Sequence, residues 1–265
     1  RFGAQCSVLQ GACRAGTDGP RPLRTRVGQA TQADDGSVLM AEVNLLARYP
    51  RAQRNVKARL GNKEENRAIA MKFGREYFDG TRNQGYGGYR YDGRWIAIAE
   101  DIVRHFNLKP GDRILDVGCG KGFLVKDLMK ICPGLEVFGL DISEYAVMNC
   151  EPEVIGRIHV GNAIDLPFPS NSFQAVLSIN TIHNLNRAGC LRALGEMERV
   201  APGKGYVQVD AYRNFVEEKV FLDWVLTAKT YGTPEFWLEL LKQAGYSSDY
   251  FWTILEADPK WTIAN

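Results

Sequence analysis

Residues 114–124, which read Ile-Leu-Asp-Val-Gly-Cys-Gly-Lys-Gly-Phe-Leu, constrain the fold more than any other part of this chain. Apolar residues typical of a buried strand lead into glycines at every second position, and an apolar stretch follows. Glycine adopts backbone conformations that other residues avoid, and it leaves room for a ligand against the main chain. The run therefore predicts a strand, a tight turn and a helix, with a ligand bound against the turn.

A carboxylate beside the turn indicates the charge of that ligand. Asp116 precedes Gly118, Gly120 and Gly122, whose spacing is G-x-G-x-G. The dinucleotide-binding fingerprint has G-x-G-x-x-G spacing and holds a pyrophosphate, which a neighbouring carboxylate would repel. A ligand with a positive charge suits the site better, and a nicotinamide-dependent oxidoreductase remains the alternative.

Strand-like and helix-like segments alternate after residue 111. Strands are predicted at 113–117, 136–141, 155–160, 175–180, 205–212 and 250–255, and helices at 122–131, after Ser143, and at 187–200, 215–230 and 234–244. This alternation predicts an α/β fold, a mostly parallel sheet with helices on both faces. Ligands of such sheets bind beyond the carboxyl ends of the strands, where Asp116, Asp141 and Asn180 fall in the sequence.

Asp116 and the three glycines resemble the first motif of the class I S-adenosylmethionine-dependent methyltransferases. The resemblance implies a Rossmann-like fold whose sheet has seven strands and ends in an antiparallel hairpin that includes residues 250–255. It also implies S-adenosylmethionine as the cofactor and S-adenosylhomocysteine as the product. The amino-acid part of the cofactor then lies over Gly118, Cys119, Gly120 and Gly122, and Asp116 helps to position its ammonium group.

Two later segments extend the resemblance. Asp141 matches the family's ribose-binding acid, because a carboxylate can accept hydrogen bonds from both ribose hydroxyls, and Ile142 follows it in the same site. Residues 161–176 resemble the G-D-A-x-x-L-P-F…S-F-D-x-V pattern of the ubiquinone and menaquinone biosynthesis methyltransferases. Asn162 replaces the acid that accepts from the adenine amine in that pattern, and the backbone amide of Ala163 then donates to the ring.

The segment after the fourth predicted strand contains the candidates nearest the chemistry. By the resemblance, Asn180 lies close to the transferred methyl group and the acceptor. His183 is a candidate general base because the ordinary pKa of histidine lies near neutrality. A packing role for His183 is the alternative. Cys119 invites interpretation as a nucleophile, but it occupies a variable position of the turn, where a small residue is simply tolerated.

Residues 85–95, rich in glycine and tyrosine, predict a lid over the cofactor. Glycines alternate there with Tyr86, Tyr89 and Tyr91, so a flexible loop would present several rings close to the sulfonium. The phenol hydroxyls, or Arg90 or Arg94, would then bind the methionine carboxylate. An aromatic loop that covers the sheet edge is the alternative.

Composition excludes several other classes of protein. The 265 residues carry a net charge of +2, which gives no strong signal for nucleic acid, and no apolar run approaches membrane-spanning length. The six cysteines lack metal-binding spacing, so we expect no metal site. Scattered cysteines fit a reducing compartment, and the expected location is the cytoplasm. An organelle is the alternative if residues 1–39, which hold five arginines and no lysine, are a transit peptide.

Three parts of the chain are expected to differ in role. Residues 1–39 are predicted to be a disordered leader or upstream sequence. Residues 40–110 are predicted to be an N-terminal helical segment, with helices at 62–78 and 95–106 and the lid at 85–95 between them. Residues 111–265 form the cofactor-binding core, with substrate-side helices at about 213–245. Three tryptophans of this region either wall an acceptor pocket or pack in the core: Trp224, Trp237 and Trp252.

The expected function is methyl transfer from S-adenosylmethionine to an oxygen, nitrogen or carbon atom of a small molecule. The cofactor supplies the electrophile, so no protein nucleophile or metal is required. A methyltransferase acting on RNA or protein and a cofactor-binding protein without turnover remain alternatives. The sequence identifies neither the acceptor nor the oligomeric state.

Overall fold

Alternating strands and helices build one sheet with helices on both faces. The structure, a computed structural model, describes residues 40–50 and 54–256, so the predicted leader at 1–39 lies outside the described residues. The strands are β1 (Arg113–Val117), β2 (Glu136–Asp141), β3 (Ile158–Val160), β4 (Ala175–Ile179), β5 (Gly205–Ala211) and β6 (Asp249–Ile254). The helices are α1 (Lys63–Ala70), α2 (Arg75–Asp79), α3 (Ile96–His105), α4 (Phe123–Ile131), α5 (Glu144–Met148), α6 (Arg187–Val200), α7 (Phe215–Trp224) and α8 (Pro234–Gln243).

The strands of the sheet run in the order β3-β2-β1-β4-β5-β6. Every neighbouring pair is parallel, which confirms the predicted α/β fold. Two expectations were wrong for the described part of the chain: it holds six strands rather than seven, and β6 is parallel to β5 rather than part of an antiparallel hairpin. β6 runs parallel to β5 because α8 lies between them, and a helix between two strands returns the chain to the end at which the first strand began.

Successive residues of the central strand β1 pack against opposite faces of the sheet. Ile114 belongs to the core on the side of α3 and α4, and Leu115 to the core on the side of α6 and α8. Both side chains are fully buried. This two-residue alternation between two helical layers is expected for a central strand of a doubly covered sheet.

Most predicted elements agree with the structure to within a residue or two, and side chains cap the first turns of two helices. Ser143 accepts a hydrogen bond from the Ala146 amide at 3.0 Å, and Thr233 caps α8 in the same way. The single helix predicted at 62–78 is wrong, because it divides into α1 and α2 at Phe73, whose φ is 47°. Helix α7 ends at Trp224, six residues early, because Val225 is extended.

The segment ahead of the helices joins the edge of the sheet. Glu42 forms a parallel bridge with Tyr250 of β6, and the amide of Val43 donates to the Tyr250 carbonyl at 2.9 Å. Asp249 fixes this edge, since it accepts from the Ala41 amide at 3.1 Å and lies 2.8 Å from Nε2 of His105. Residues 40–50 therefore begin at β6 and lead towards the carboxyl ends of the strands.

Candidate functional site

The glycine turn after β1 is held against the end of β2. The amides of Gly118 and Cys119 both donate to the carbonyl of Leu140, at 2.6 and 3.2 Å. The three glycines of the turn have φ values of 87°, 55° and 78°, the left-handed region that residues with a side chain rarely occupy. The sequence therefore needs glycine at each position for the backbone alone.

The three glycines differ in what a side chain at each position would contact. A Cβ atom on Gly118 would lie 2.0 Å from Oγ1 of Thr181, and one on Gly122 would lie 2.7 Å from a methyl group of Val154. A Cβ atom on Gly120 would instead lie 3.1 Å from the ring of Tyr89. All three positions thus adjoin protein side chains, and Gly118 also lines the cavity described below. The expectation that the glycines leave room for a ligand stays a prediction.

Two buried carboxylates flank the turn. Asp116 at the end of β1 is 4% exposed and forms no hydrogen bond through its side chain within the described residues. Burial, together with the charge of Asp141, raises the pKa of Asp116 to about 7. Asp141 at the end of β2 accepts from the amides of Gly120 and Ser143, at 2.7 and 2.8 Å. These carboxylates form an acidic site that a bound cation would stabilise.

Three further residues of the predicted cofactor site lie beyond β2 and β3. Ile142 is 53% exposed, so its apolar side chain is free to pack on a planar ring. The side-chain oxygen of Asn162 accepts from the Ile164 amide at 3.2 Å, and Ala163 is buried. The second lone pair of the Asn162 oxygen is still able to accept a hydrogen bond. Their cofactor roles stay predictions.

The lid predicted at 85–95 lies directly over the glycine turn. The ring of Tyr89 stacks on Phe123, the first residue of α4, with centroids 4.5 Å apart. Tyr86 packs against Tyr89 at 4.3 Å and against Phe78 at 5.8 Å. Burial is the largest cause that raises the pKa of Tyr89, and the charges of nearby acids, among them Asp116, add to it. The two phenols therefore stay protonated near neutral pH.

An ion pair fastens the lid to the turn. Nζ of Lys121, within the glycine turn, lies 2.6 Å from Oδ2 of Asp79 at the end of α2. The hydroxyl of Tyr145 on α5 donates to the same oxygen at 2.6 Å, and the Tyr89 amide donates to Oδ1 at 3.2 Å. Asp79 thus joins the turn, α5 and the lid. Further along the lid, the Tyr91 hydroxyl donates to Asp127 of α4 at 2.6 Å.

A cavity of about 680 Å³ opens between the lid, the carboxyl ends of the strands and the N-terminal segment. Asp116, Gly118 and Cys119 form its wall at β1, and Tyr86 and Tyr89 form its wall at the lid. The remaining lining residues come from the N-terminal segment, the end of the lid, α4, β4, β5 and the region around β6: Asn44, Leu46, Tyr49, Pro50, Arg54, Trp95, Leu124, Ile179, Asn180, Gln208, Arg213, Phe251, Trp252, Thr253, Ile254 and Glu256. The cavity therefore extends well beyond the glycine turn, and its size suits a small molecule.

Asn180 is fixed at the cavity wall by a chain of hydrogen bonds. Its φ is 52°, a left-handed conformation that asparagine tolerates better than most residues. The Tyr206 hydroxyl donates to Gln208, Gln208 donates to Thr253, and Thr253 donates to Oδ1 of Asn180, at 2.8, 2.8 and 3.3 Å. This chain crosses three neighbouring strands and fixes the orientation of the Asn180 amide.

His183 is buried and does not line the cavity. Its Nδ1 accepts from the amide of Asp210 at 3.2 Å, and its carbonyl accepts from the amides of Lys229 and Thr230. Burial lowers the pKa of His183, so the ring stays neutral at physiological pH. The predicted catalytic role stays a prediction, and these contacts favour the packing role that the sequence left as the alternative.

Other candidates divide between the cavity and the core. Trp252 lines the cavity, Trp237 is fully buried against the sheet, and Trp224 stacks under the guanidinium of Arg59 at 3.8 Å. Burial raises the pKa of the Cys119 thiol, which leaves no reactive thiolate. Across residues 40–50 and 54–256 there is no cluster of metal-binding side chains, and no helix there is long and apolar enough to cross a membrane.

The residues that fasten the lid, and those that the N-terminal segment brings to the cavity, were not predicted from the sequence. Lys121 carried one signal, since a lysine inside a tight buried turn requires a partner for its charge. Asp79 lies 42 positions earlier and gave no local pattern that identifies it as that partner. Tyr49 and Arg54 lie in a stretch without periodicity, and only the fold brings them near β1.

Comparison with known proteins identifies the domain that contains this site. Residues 115–209 match the family model described as a methyltransferase domain. Demethylmenaquinone methyltransferase of Symbiobacterium thermophilum is 33% identical over 144 residues, which cover 50% of this chain and 57% of that protein. Sterol 24-C-methyltransferase ERG6B of Gibberella zeae is 34% identical over 136 residues, covering 46% and 35%. The chain therefore spans only part of the length of these curated relatives.

A solved structure is also similar to part of this chain. A methyltransferase in complex with the Trm112 methyltransferase activator of Haloferax volcanii aligns with a TM-score of 0.47 and 25% identity, over 56% of this chain and 66% of that chain. The region matched by the family model runs from β1 into β5 and contains the glycine turn, Asp141, Asn162 and Asn180. The chain is therefore similar to methyltransferases over the region that contains this site.

Proposed function

We propose that this protein transfers a methyl group from S-adenosylmethionine to a small acceptor molecule. The observation that carries the proposal is the pair of buried carboxylates, Asp116 and Asp141, that flank a glycine turn beneath an aromatic lid. S-adenosylmethionine, when bound, supplies an activated methyl group on a positively charged sulfonium. The residues present fit such a ligand, because Asp116 is a buried carboxylate without a hydrogen-bond partner in residues 40–50 and 54–256.

Each residue of the site has a distinct part in this proposal. Asp116 receives the ammonium group of the cofactor, and its pKa of about 7 falls when that positive charge arrives. Asp141 accepts hydrogen bonds from the ribose hydroxyls and still accepts those from the amides of Gly120 and Ser143. Tyr86 and Tyr89 exclude water above the turn and offer ring faces to the sulfonium.

Methyl transfer requires the protein mainly to align the two reacting atoms. Asn180, fixed by Thr253 and Gln208, lies at the wall that the cofactor site and the rest of the cavity share. It is the best-placed side chain to orient an acceptor. The cavity is bounded by the lid and by the N-terminal segment, which favours a small acceptor over RNA or a folded protein.

The test is transfer of a labelled methyl group. The protein is incubated with S-adenosylmethionine carrying tritium in its methyl group and a panel of phenols, catechols, amines and carbon acids. We expect label to enter at least one class of compound, and Asp141→Ala to reduce the rate at least 100-fold. Glu239→Gln, an exposed change on α8, is the matched control and should leave the rate unchanged. Cofactor binding without transfer to any compound or cell extract would favour the non-catalytic alternative.

A further inference from the structure

One arginine of the cavity wall has N–H donors that the described residues leave unused. Arg54 is half-buried, and its guanidinium forms no hydrogen bond or ion pair with residues 40–50 or 54–256. Burial lowers the pKa of Arg54, while the charges of Asp210 and Glu256 oppose that shift from beyond ion-pair distance. A guanidinium has five N–H donors and stays protonated in proteins, so an anion that enters the cavity would find donors that the described residues do not use.

The guanidinium groups of Arg59 and Arg82 lie close enough to Arg54 for the charges to interact. Arg59 is buried, and its donors bond to the carbonyls of Arg82, Gly85 and Trp224 rather than to a carboxylate. Arg82 donates to the carbonyl of Tyr86 at 2.8 Å. The charges of Arg54 and Arg82 both lower the pKa of Arg59, in addition to the larger effect of its burial. Three guanidinium groups therefore lie close together at this side of the cavity, where Arg54 lines it, and the partners of Arg59 and Arg82 are neutral carbonyls.

The cluster lies on the acceptor side of the site rather than the cofactor side. Asp210, whose charge reaches Arg54, belongs to β5, and β4 separates β5 from β1. Neighbouring strands lie about 4.8 Å apart, which sets the end of β5 roughly 10 Å from the glycine turn. The cavity spans this distance, since both Gly118 and Arg54 line it.

We infer that Arg54 selects acceptors that carry a carboxylate or phosphate group. The inference rests on the proposed function and names the class of its substrate. Planar side chains line the same cavity, among them Tyr49, Trp95 and Trp252, so an acceptor with an aromatic ring and an acidic group fits both features. A bidentate pair with the guanidinium holds the acid, and the rest of the molecule extends towards Asn180 and the methyl group.

The experiment measures anion binding directly and does not depend on knowing the acceptor. Benzoate, phenyl phosphate and the neutral isostere benzamide are titrated by NMR into the full chain, with and without saturating S-adenosylhomocysteine. Arg54→Gln removes the charge. Arg54→Lys keeps the charge but lacks the planar set of N–H donors of a guanidinium. Arg104→Gln, at an exposed position on α3, is the matched control. Benzoate and phenyl phosphate distinguish a carboxylate from a phosphate preference.

We expect the wild type to bind one of the two anions at least tenfold more tightly than benzamide. Arg54→Gln should lose that preference, Arg54→Lys should keep part of it, and Arg104→Gln should match the wild type. S-adenosylhomocysteine should bind all four proteins equally. Equal binding of anion and benzamide by the wild type, or an unchanged preference in Arg54→Gln, would overturn the inference. A large loss of S-adenosylhomocysteine affinity in Arg54→Gln would also overturn it, since Arg54 would then serve the cofactor.

The result that would contradict the proposed function is different from those that would overturn the role of Arg54. If S-adenosylhomocysteine does not bind the wild type, the cofactor site is wrong, whatever the anions do. The titrations without S-adenosylhomocysteine still decide whether Arg54 binds an anion.

Discussion

Lys121 and Asp79 form an ion pair of 2.6 Å that joins the glycine turn to the segment that leads into the lid. Lys121 occupies a position between two of the motif glycines, so the turn that we propose binds the cofactor is also tied to the lid. The side chains are 10% and 26% exposed, which makes the pair stronger than an ordinary surface ion pair. Burial opposes ionisation of Asp79, but hydrogen bonds from Lys121 and Tyr145 hold its pKa below the usual value.

Loss of this ion pair should shorten the residence time of the cofactor. Asp79→Asn keeps the shape of the side chain but removes the charge that Lys121 and the Tyr145 hydroxyl bind. A charge-assisted hydrogen bond contributes about 1.5 to 3 kcal/mol, so we expect S-adenosylhomocysteine to dissociate roughly tenfold faster. Stopped-flow measurement of dissociation tests this, with the exposed change Glu76→Gln on the same helix as control. An unchanged dissociation rate in Asp79→Asn would mean that the lid does not limit release.

Asp116 should make cofactor affinity and stability respond to pH in opposite directions. Its folded-state pKa of about 7 lies above the unfolded value of roughly 3.9, so the folded protein holds the proton more tightly. Stability from this group is therefore lost as the pH rises from about 4 through 7. The ionised form binds the ammonium group, so affinity for S-adenosylmethionine should rise between pH 6 and pH 8.

The variant Asp116→Asn separates these two effects. At pH 8 it should unfold several degrees higher than the ligand-free wild type, because the buried charge is gone, and the difference should vanish near pH 4. It should also bind S-adenosylmethionine at least tenfold more weakly. Scanning calorimetry and isothermal titration at several pH values measure both. A variant less stable than the wild type at pH 8 would contradict the raised pKa.

The three glycines of the turn should differ when each is changed to alanine. All three have positive φ, which costs each variant about 1 kcal/mol. Gly118→Ala and Gly122→Ala should lose more stability, because the new methyl group meets Thr181 or Val154. Gly120→Ala should fold nearly normally yet weaken cofactor binding, since its methyl group faces Tyr89 beneath the lid. Thermal unfolding and calorimetric titration of the three variants test this, and similar behaviour of all three would contradict it.

The sequence predicts the layout of the sheet well, because that layout follows from local patterns. Alternating apolar runs and the capping residue Ser143 identify the elements, and the parallel arrangement brings Asp116 and Asp141 to the same edge. The direction of β6 was wrong because it was taken from the family resemblance, whereas α8 determines it. The pairing of Asp79 with Lys121 and the position of Arg54 escaped prediction for a different reason. Both depend on contacts between distant parts of the chain, which no local periodicity records.

His183 should prove more important for stability than for catalysis. Its pKa is lowered by burial, so the stability it contributes is present above the unfolded pKa of about 6.5 and is lost as the pH falls below it. His183→Asn keeps an acceptor for the Asp210 amide, whereas His183→Leu does not. We expect thermal unfolding at pH 8 to show the leucine variant as the less stable of the two. A methyl transfer rate at least 100-fold below the wild type in a stable His183→Asn variant would instead establish a general base.

Calorimetric titration of the full chain with S-adenosylmethionine is the decisive experiment for the proposed cofactor site. We expect saturable binding of one molecule per chain, lost in Asp141→Ala and retained in Glu239→Gln. We also expect that NAD does not bind. Absence of heat at millimolar S-adenosylmethionine, or saturable NAD binding that survives Asp116→Ala, would show that the proposed cofactor site is wrong.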